Sequence, residues 1–77
     1  MKIIEVDLGY KLVGNDGLTL QMTRVPTAEN IFEAVCLFGL SFETSGRLVA
    51  FVTQARYLKD IPKLAERMGF NYERGEG

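Results

Sequence analysis

Histidine is absent from this chain, and there is one cysteine among its 77 residues. Without imidazole no side chain has an ordinary pKa near neutrality, so Ser-His and Cys-His nucleophile pairs and histidine-held metals are excluded together. The lone thiol, Cys36, can form neither an internal disulfide nor a thiolate zinc cage. No apolar run approaches the ~18 residues a membrane span needs, and Glu5 and Asp7 stand within the first seven positions. Positive charge is not in excess either: 9 Lys and Arg face 10 Asp and Glu, for a net charge of −1. A protein that binds nucleic acid generally neutralises many phosphates with basic side chains, so that partner is not expected. These scarcities lead to the expectation of a cytoplasmic protein with no metal, no cofactor, no membrane partner and no nucleic-acid partner.

What is present is an ordinary globular balance, 47% hydrophobic and 25% charged, which is enough apolar content to fold. The length is that of one domain, residues 1–77, small enough to depend on its caps and turns and on a protein partner or a second copy of itself. Ile4, Val6, Leu8 and Tyr10 alternate with polar residues and Gly9, the period of a strand with one wet face. Gly14-Asn15-Asp16-Gly17 is a hairpin turn, and Leu18, Leu20 and Met22 return as the second strand, so residues 1–25 form a β-hairpin. Thr27 is placed to cap a helix that carries Ile31, Phe32, Val35 and Phe38 on one side. That helix ends either at Gly39 or before Ser45-Gly46.

The run Leu48-Val49-Ala50-Phe51-Val52 is apolar at both parities, and the expectation is a central, doubly covered strand. Tyr57, Leu58, Ile61, Leu64, Ala65 and Met68 then follow helical spacing. Either Asp60 caps this second helix from Ile61, which puts Pro62 in the first turn, or a loose turn from Ala55 leads into it. Phe70 and Tyr72 form a last strand, and residues 75–77 are expected to fray. The predicted order is ββαβαβ, with αβαβ over residues 26–74. Right-handed crossovers would make a two-layer α/β sandwich, a four-stranded mixed sheet with two helices on one face. Its other face would carry Glu5, Asp7, Thr19, Gln21, Thr23, Asn71 and Glu73 into water.

Cys36 falls mid-helix between Val35 and Leu37, where the expected role is that of a small core or boundary hydrophobe. The pairs Glu5 with Asp7 and Glu29 with Glu33 read as solvated charges rather than an acid and base. Arg56, Lys59, Lys63 and Arg67 recur at steps of three, four and four and form one basic stripe on the outer side of the second helix. Such a stripe suits an acidic protein partner, and its competing reading is a solvated face with ion pairs to Asp60 and Glu66.

The stretch from Asp60-Ile61-Pro62 through Lys63-Leu64-Ala65-Glu66-Arg67-Met68-Gly69-Phe70, with the Leu48 to Thr53 segment ahead of it, resembles the second half of the TusA-like (SirA-type) sulfur-carrier family. The resemblance implies a two-layer fold that acts by docking to other proteins. In that family a Cys-Pro-x-Pro motif before the first helix carries a persulfide. Here the corresponding residues are Val25-Pro26-Thr27-Ala28, so the sulfur-bearing cysteine is missing. The resulting expectation is a non-catalytic interaction or regulatory module that presents Arg56, Lys59, Lys63 and Arg67, with the segment from Ser41 to Gly46 as a further contact. The alternative is a sulfur relay through Cys36.

Overall fold

A computed structural model describes residues 1–75. The strands are β1 (Lys2–Val6), β2 (Gly9–Val13), β3 (Thr19–Thr23) and β4 (Asn71–Arg74); the helices are α1 (Ala28–Phe38), α2 (Phe42–Gln54) and α3 (Ile61–Arg67). The sheet order is β3-β2-β1-β4, antiparallel within the first three strands and parallel where β4 joins β1. A four-stranded mixed sheet with its helices on one face is therefore present. Two features of the sequence-based expectation are corrected: there are three helices rather than two, and the order is βββαααβ rather than ββαβαβ.

The first correction lies at residues 4–10. The single expected strand is two strands, joined by the two-residue turn Asp7-Leu8 between the paired residues Val6 and Gly9. The turn reverses the parity: Ile3, Glu5, Tyr10 and Leu12 point into the core, while Leu8 is 86% exposed. Glu5 thus leaves the wet face it was assigned, and Asp7 lies in the turn, whereas Thr19, Gln21, Thr23, Asn71 and Glu73 are exposed as expected. Gly9 is required by close approach, since a Cβ there would sit 2.0 Å from the Met22 carbonyl oxygen. Residues 1–25 accordingly form a three-stranded meander, with the Gly14–Gly17 turn joining β2 to β3 through Gly14 N–H donating to the Leu18 carbonyl at 2.8 Å.

The second correction concerns Leu48–Val52, which belongs to α2 and not to a central strand. Ser41 Oγ accepts the Thr44 N–H at 3.1 Å and starts the helix, so the segment from Ser41 to Gly46, named above as a further contact, is the cap and first turns of α2. Leu48, Phe51, Val52 and Ala55 are buried at helical spacing. Phe51 is wholly buried and meets Tyr10 and Phe70 edge-on at centroid distances of 5.7 and 6.0 Å. With this segment helical, the middle of the sheet is formed by β1 and β2.

The remaining elements follow the sequence. Thr27 Oγ1 accepts the Asn30 N–H at 3.2 Å, and the Asn30 side chain accepts the Thr27 N–H at 3.1 Å, a reciprocal cap. Gly39 closes α1 at φ 60°, a left-handed position that glycine adopts without a Cβ penalty. Asp60 caps α3 from Ile61, with Pro62 in the first turn where its missing N–H has no helical acceptor to lose. Ala34 of α1, Leu64 of α3 and the α2 residues join Ile3, Tyr10, Leu12 and Met22 in one core, so all three helices cover the same face. The expected fraying lies outside the described residues except at Gly75, whose N–H donates to the Glu5 carbonyl at 2.8 Å. Among the described residues no helix is long and apolar enough to cross a membrane.

Candidate functional site

The basic residues divide between two elements. Lys63 and Arg67 lie one turn apart on α3, whereas Arg56 and Lys59 precede it in the turn after α2, so the stripe is not the single helical face expected. Lys59, Lys63 and Arg67 still converge: with Leu58, Asp60 and Leu64 they line a surface groove of about 440 Å³. Arg56 is exposed but does not line it. The two nearby acids are diverted. Asp60 Oδ1 accepts the Lys63 N–H at 3.2 Å as the α3 cap, and Glu66 lines a different groove with Pro62, Gly69 and Tyr72. Among the described residues the ion pairs are Lys2–Glu73 and Arg24–Glu5, so none of the four stripe cations is within 4.0 Å of a carboxylate. The groove therefore offers three basic side chains against one carboxylate, around the partly exposed Leu58.

Tyr57 and Leu58, expected to pack in the core, are instead 79% and 41% exposed beside these cations. Their spacing with Ile61 and Leu64 matches a helix, but the chain is not helical until Ile61. The signal for this was Asp60 two residues before Pro62, a cap and a first-turn proline that leave positions 57 and 58 outside the helix.

A second polar cluster lies at one end of the core face. Glu5 is only 9% exposed, and its carboxylate accepts a hydrogen bond from the Tyr72 hydroxyl on one oxygen and pairs with Arg24 Nη2 at 3.2 Å on the other. Arg24 Nη2 also donates to the Val6 carbonyl at 3.2 Å, and its guanidinium sits 5.8 Å from the Tyr10 ring centre. Burial pushes the Glu5 pKa up, but the bonds from Tyr72 and Arg24 and the charges of Arg24 and Arg74 outweigh it and hold the group below its ordinary 4.5. Burial and then the bond to Glu5 push the Tyr72 phenol well above its ordinary 10.0, and burial raises that of Tyr10. With one partner on each carboxylate oxygen, the cluster ties β1, β4 and the end of β3 together.

Cys36 is exposed, which corrects its expected place in or beside the core. It lines an open, largely apolar groove on α1 with Ala28, Glu29, Phe32 and Glu33, and Phe32 is 69% exposed. This groove carries two carboxylates and no cation. No cluster of three or more His, Cys, Asp or Glu side chains that could hold a metal occurs among the described residues. Comparison with protein-family models, curated proteins and solved structures finds no match to this chain.

Proposed function

We propose that this chain is a non-catalytic interaction module that docks an acidic protein segment carrying an apolar side chain. The observation that supports this reading is the α3 groove, where Lys59, Lys63 and Arg67 surround the partly exposed Leu58 and, among the described residues, no carboxylate lies within 4.0 Å of any of the three. Acidic residues on the partner would pair with the rim, and its apolar residue would cover Leu58. Steering by such a patch weakens as salt rises, because the screening length shortens from ~10 Å at 0.1 M to ~3 Å at 1 M.

The test uses a fluorescein-labelled peptide of alternating glutamate and leucine, measured by anisotropy at low and high salt. Binding should weaken steeply with salt, and Lys63→Glu with Arg67→Glu should weaken it about tenfold or more, with Arg56→Glu acting less because it lies outside the groove. Thermal unfolding of these variants should stay close to wild type, since all three side chains are exposed. Binding that is insensitive to charge reversal removes the groove as the docking surface.

The exposure of Cys36 supports a second reading, a TusA-like sulfur relay. The Asp60-Ile61-Pro62 opening and a strand after it are retained, while the segment ahead of it is helical. Incubation with a sulfane-sulfur donor should then add one sulfur to the intact mass, and Cys36→Ser should lose it. An unmodified mass removes this reading.

A further inference from the structure

The two edges of the sheet are unequal. On β4, Asn71-Tyr72-Glu73-Arg74, two of four residues are charged and Glu73 is paired with Lys2 at 2.9 Å, the kind of charged, short edge that resists strand addition. On β3 and the residue before it, the sequence Leu18-Thr19-Leu20-Gln21-Met22-Thr23 carries no charge and no proline. The next residue, Arg24, does not guard that edge, because its guanidinium turns inward to Glu5 and the Val6 carbonyl. α1 packs on the core face through Ala34 and contributes no hydrogen bond to β3.

The ladder phase shows which backbone groups this edge presents. Gly14 N–H donates to the Leu18 carbonyl, so in the β2–β3 register the pairs Leu12–Leu20 and Tyr10–Met22 are the hydrogen-bonded ones. The N–H and C=O groups of Thr19, Gln21 and Thr23 therefore point outward. This outward set is self-complementary about Gln21. Two β3 strands laid antiparallel around that residue pair Gln21 with Gln21 and Thr19 with Thr23, each pair exchanging both of its backbone bonds. Leu20 then faces Met22 of the second copy on the core side, and threonine faces threonine on the open side, both favourable cross-strand neighbours.

We infer that the chain forms a two-fold homodimer by antiparallel pairing of β3 with β3 of a second copy, which joins the two sheets into one continuous eight-stranded sheet. The partner is a second copy because the two-fold axis at Gln21 sets only uncharged, matching side chains against each other, Leu20 against Met22 on the core side and Thr19 against Thr23 on the open side.

Sedimentation equilibrium from about 10 μM to about 1 mM should show the mass rise from one chain to two. Over the same range, hydrogen exchange at the Thr19, Gln21 and Thr23 amides should slow by about tenfold or more, while Leu20 and Met22, bonded within the monomer, stay unchanged. Gln21→Pro removes an outward donor and no ladder bond, and Gln21→Lys brings two charges together at the axis; both should sediment as monomers with native circular dichroism. Phe32→Ser on the α1 groove should leave the dimer intact. A wild-type chain that remains monomeric at 1 mM overturns the inference. So does a dimer in which the three edge amides gain no protection, or one that persists in both Gln21 variants.

Discussion

Replacing Tyr72 by phenylalanine removes one hydroxyl from the Glu5 cluster and leaves the ring in place against Phe51, whose centre lies 6.4 Å away. The lost bond runs from a neutral donor to a buried, ionised carboxylate, and such bonds contribute about 1.5–3 kcal/mol. Arg24 still pairs with the other carboxylate oxygen, so the expected loss is about 2 kcal/mol at pH 7. For a domain of this size that corresponds to a fall in Tm of roughly 8–16 °C. Urea unfolding followed by circular dichroism gives the free energy directly.

The pH dependence makes the test sharper. Glu5 is held below 4.5 in the folded state, so the stability it contributes is fully present above about pH 4.5 and is lost as pH falls through the lower folded value. Without the Tyr72 hydroxyl that depression shrinks, so the gap between wild type and Tyr72→Phe should narrow below pH 4.5. At the other extreme Tyr72 ionises near pH 10 when unfolded and higher when folded, so wild type should lose stability above pH 10 by a route the variant lacks. A gap under about 0.5 kcal/mol at pH 7, or one that does not change with pH, would refute the assignment of this bond.

Gly9→Ala places a methyl group 2.0 Å from a β3 carbonyl oxygen and should cost about 3 kcal/mol, read as a fall in the urea midpoint. Phe51→Ala empties the centre of the aromatic cluster and should cost about 3–5 kcal/mol by the same measurement.

Much of the architecture could be read from the residues, and the two failures have different causes. Thr27, Asp60, Asp16-Gly17 and Gly39 are residues whose local bonding or conformational freedom specifies a cap or turn, and each does so in the structure, Gly39 and Asp60 each being one of two alternatives that the spacing left open. The Asp7-Leu8 turn carries no such mark: neither residue takes a positive φ, so the reversal needs no Asn-Gly or Asp-Gly signature. In α2 the helical period of Leu48, Phe51, Val52 and Ala55 is obscured by Val49 and Ala50, apolar residues on the less buried side. Ser41 at the N-cap was the available sign. The groove was half legible. Spacing found Lys59, Lys63 and Arg67, but it also carried Tyr57 and Leu58 into the helix, whereas α2 ends at Gln54 and α3 begins at Ile61, which leaves both at the surface.

The geometry of the sheet relates the two proposed surfaces. α3 packs against β4, at the margin of the sheet opposite β3. In the β3-paired dimer each β4 lies three and a half strand spacings from the axis, so the two β4 strands would be about 34 Å apart at ~4.8 Å per spacing, with the grooves of α3 at the two far margins. Both would remain open, because the dimer uses neither α3 nor the turn before it. A partner with one acidic segment gains nothing from this arrangement. One that carries two such segments across the distance between the grooves converts its second contact into an intramolecular event and gains affinity without any new contact. Gln21→Pro should then abolish that gain while leaving the binding of a single segment unchanged, which separates failure of the dimer from failure of the groove.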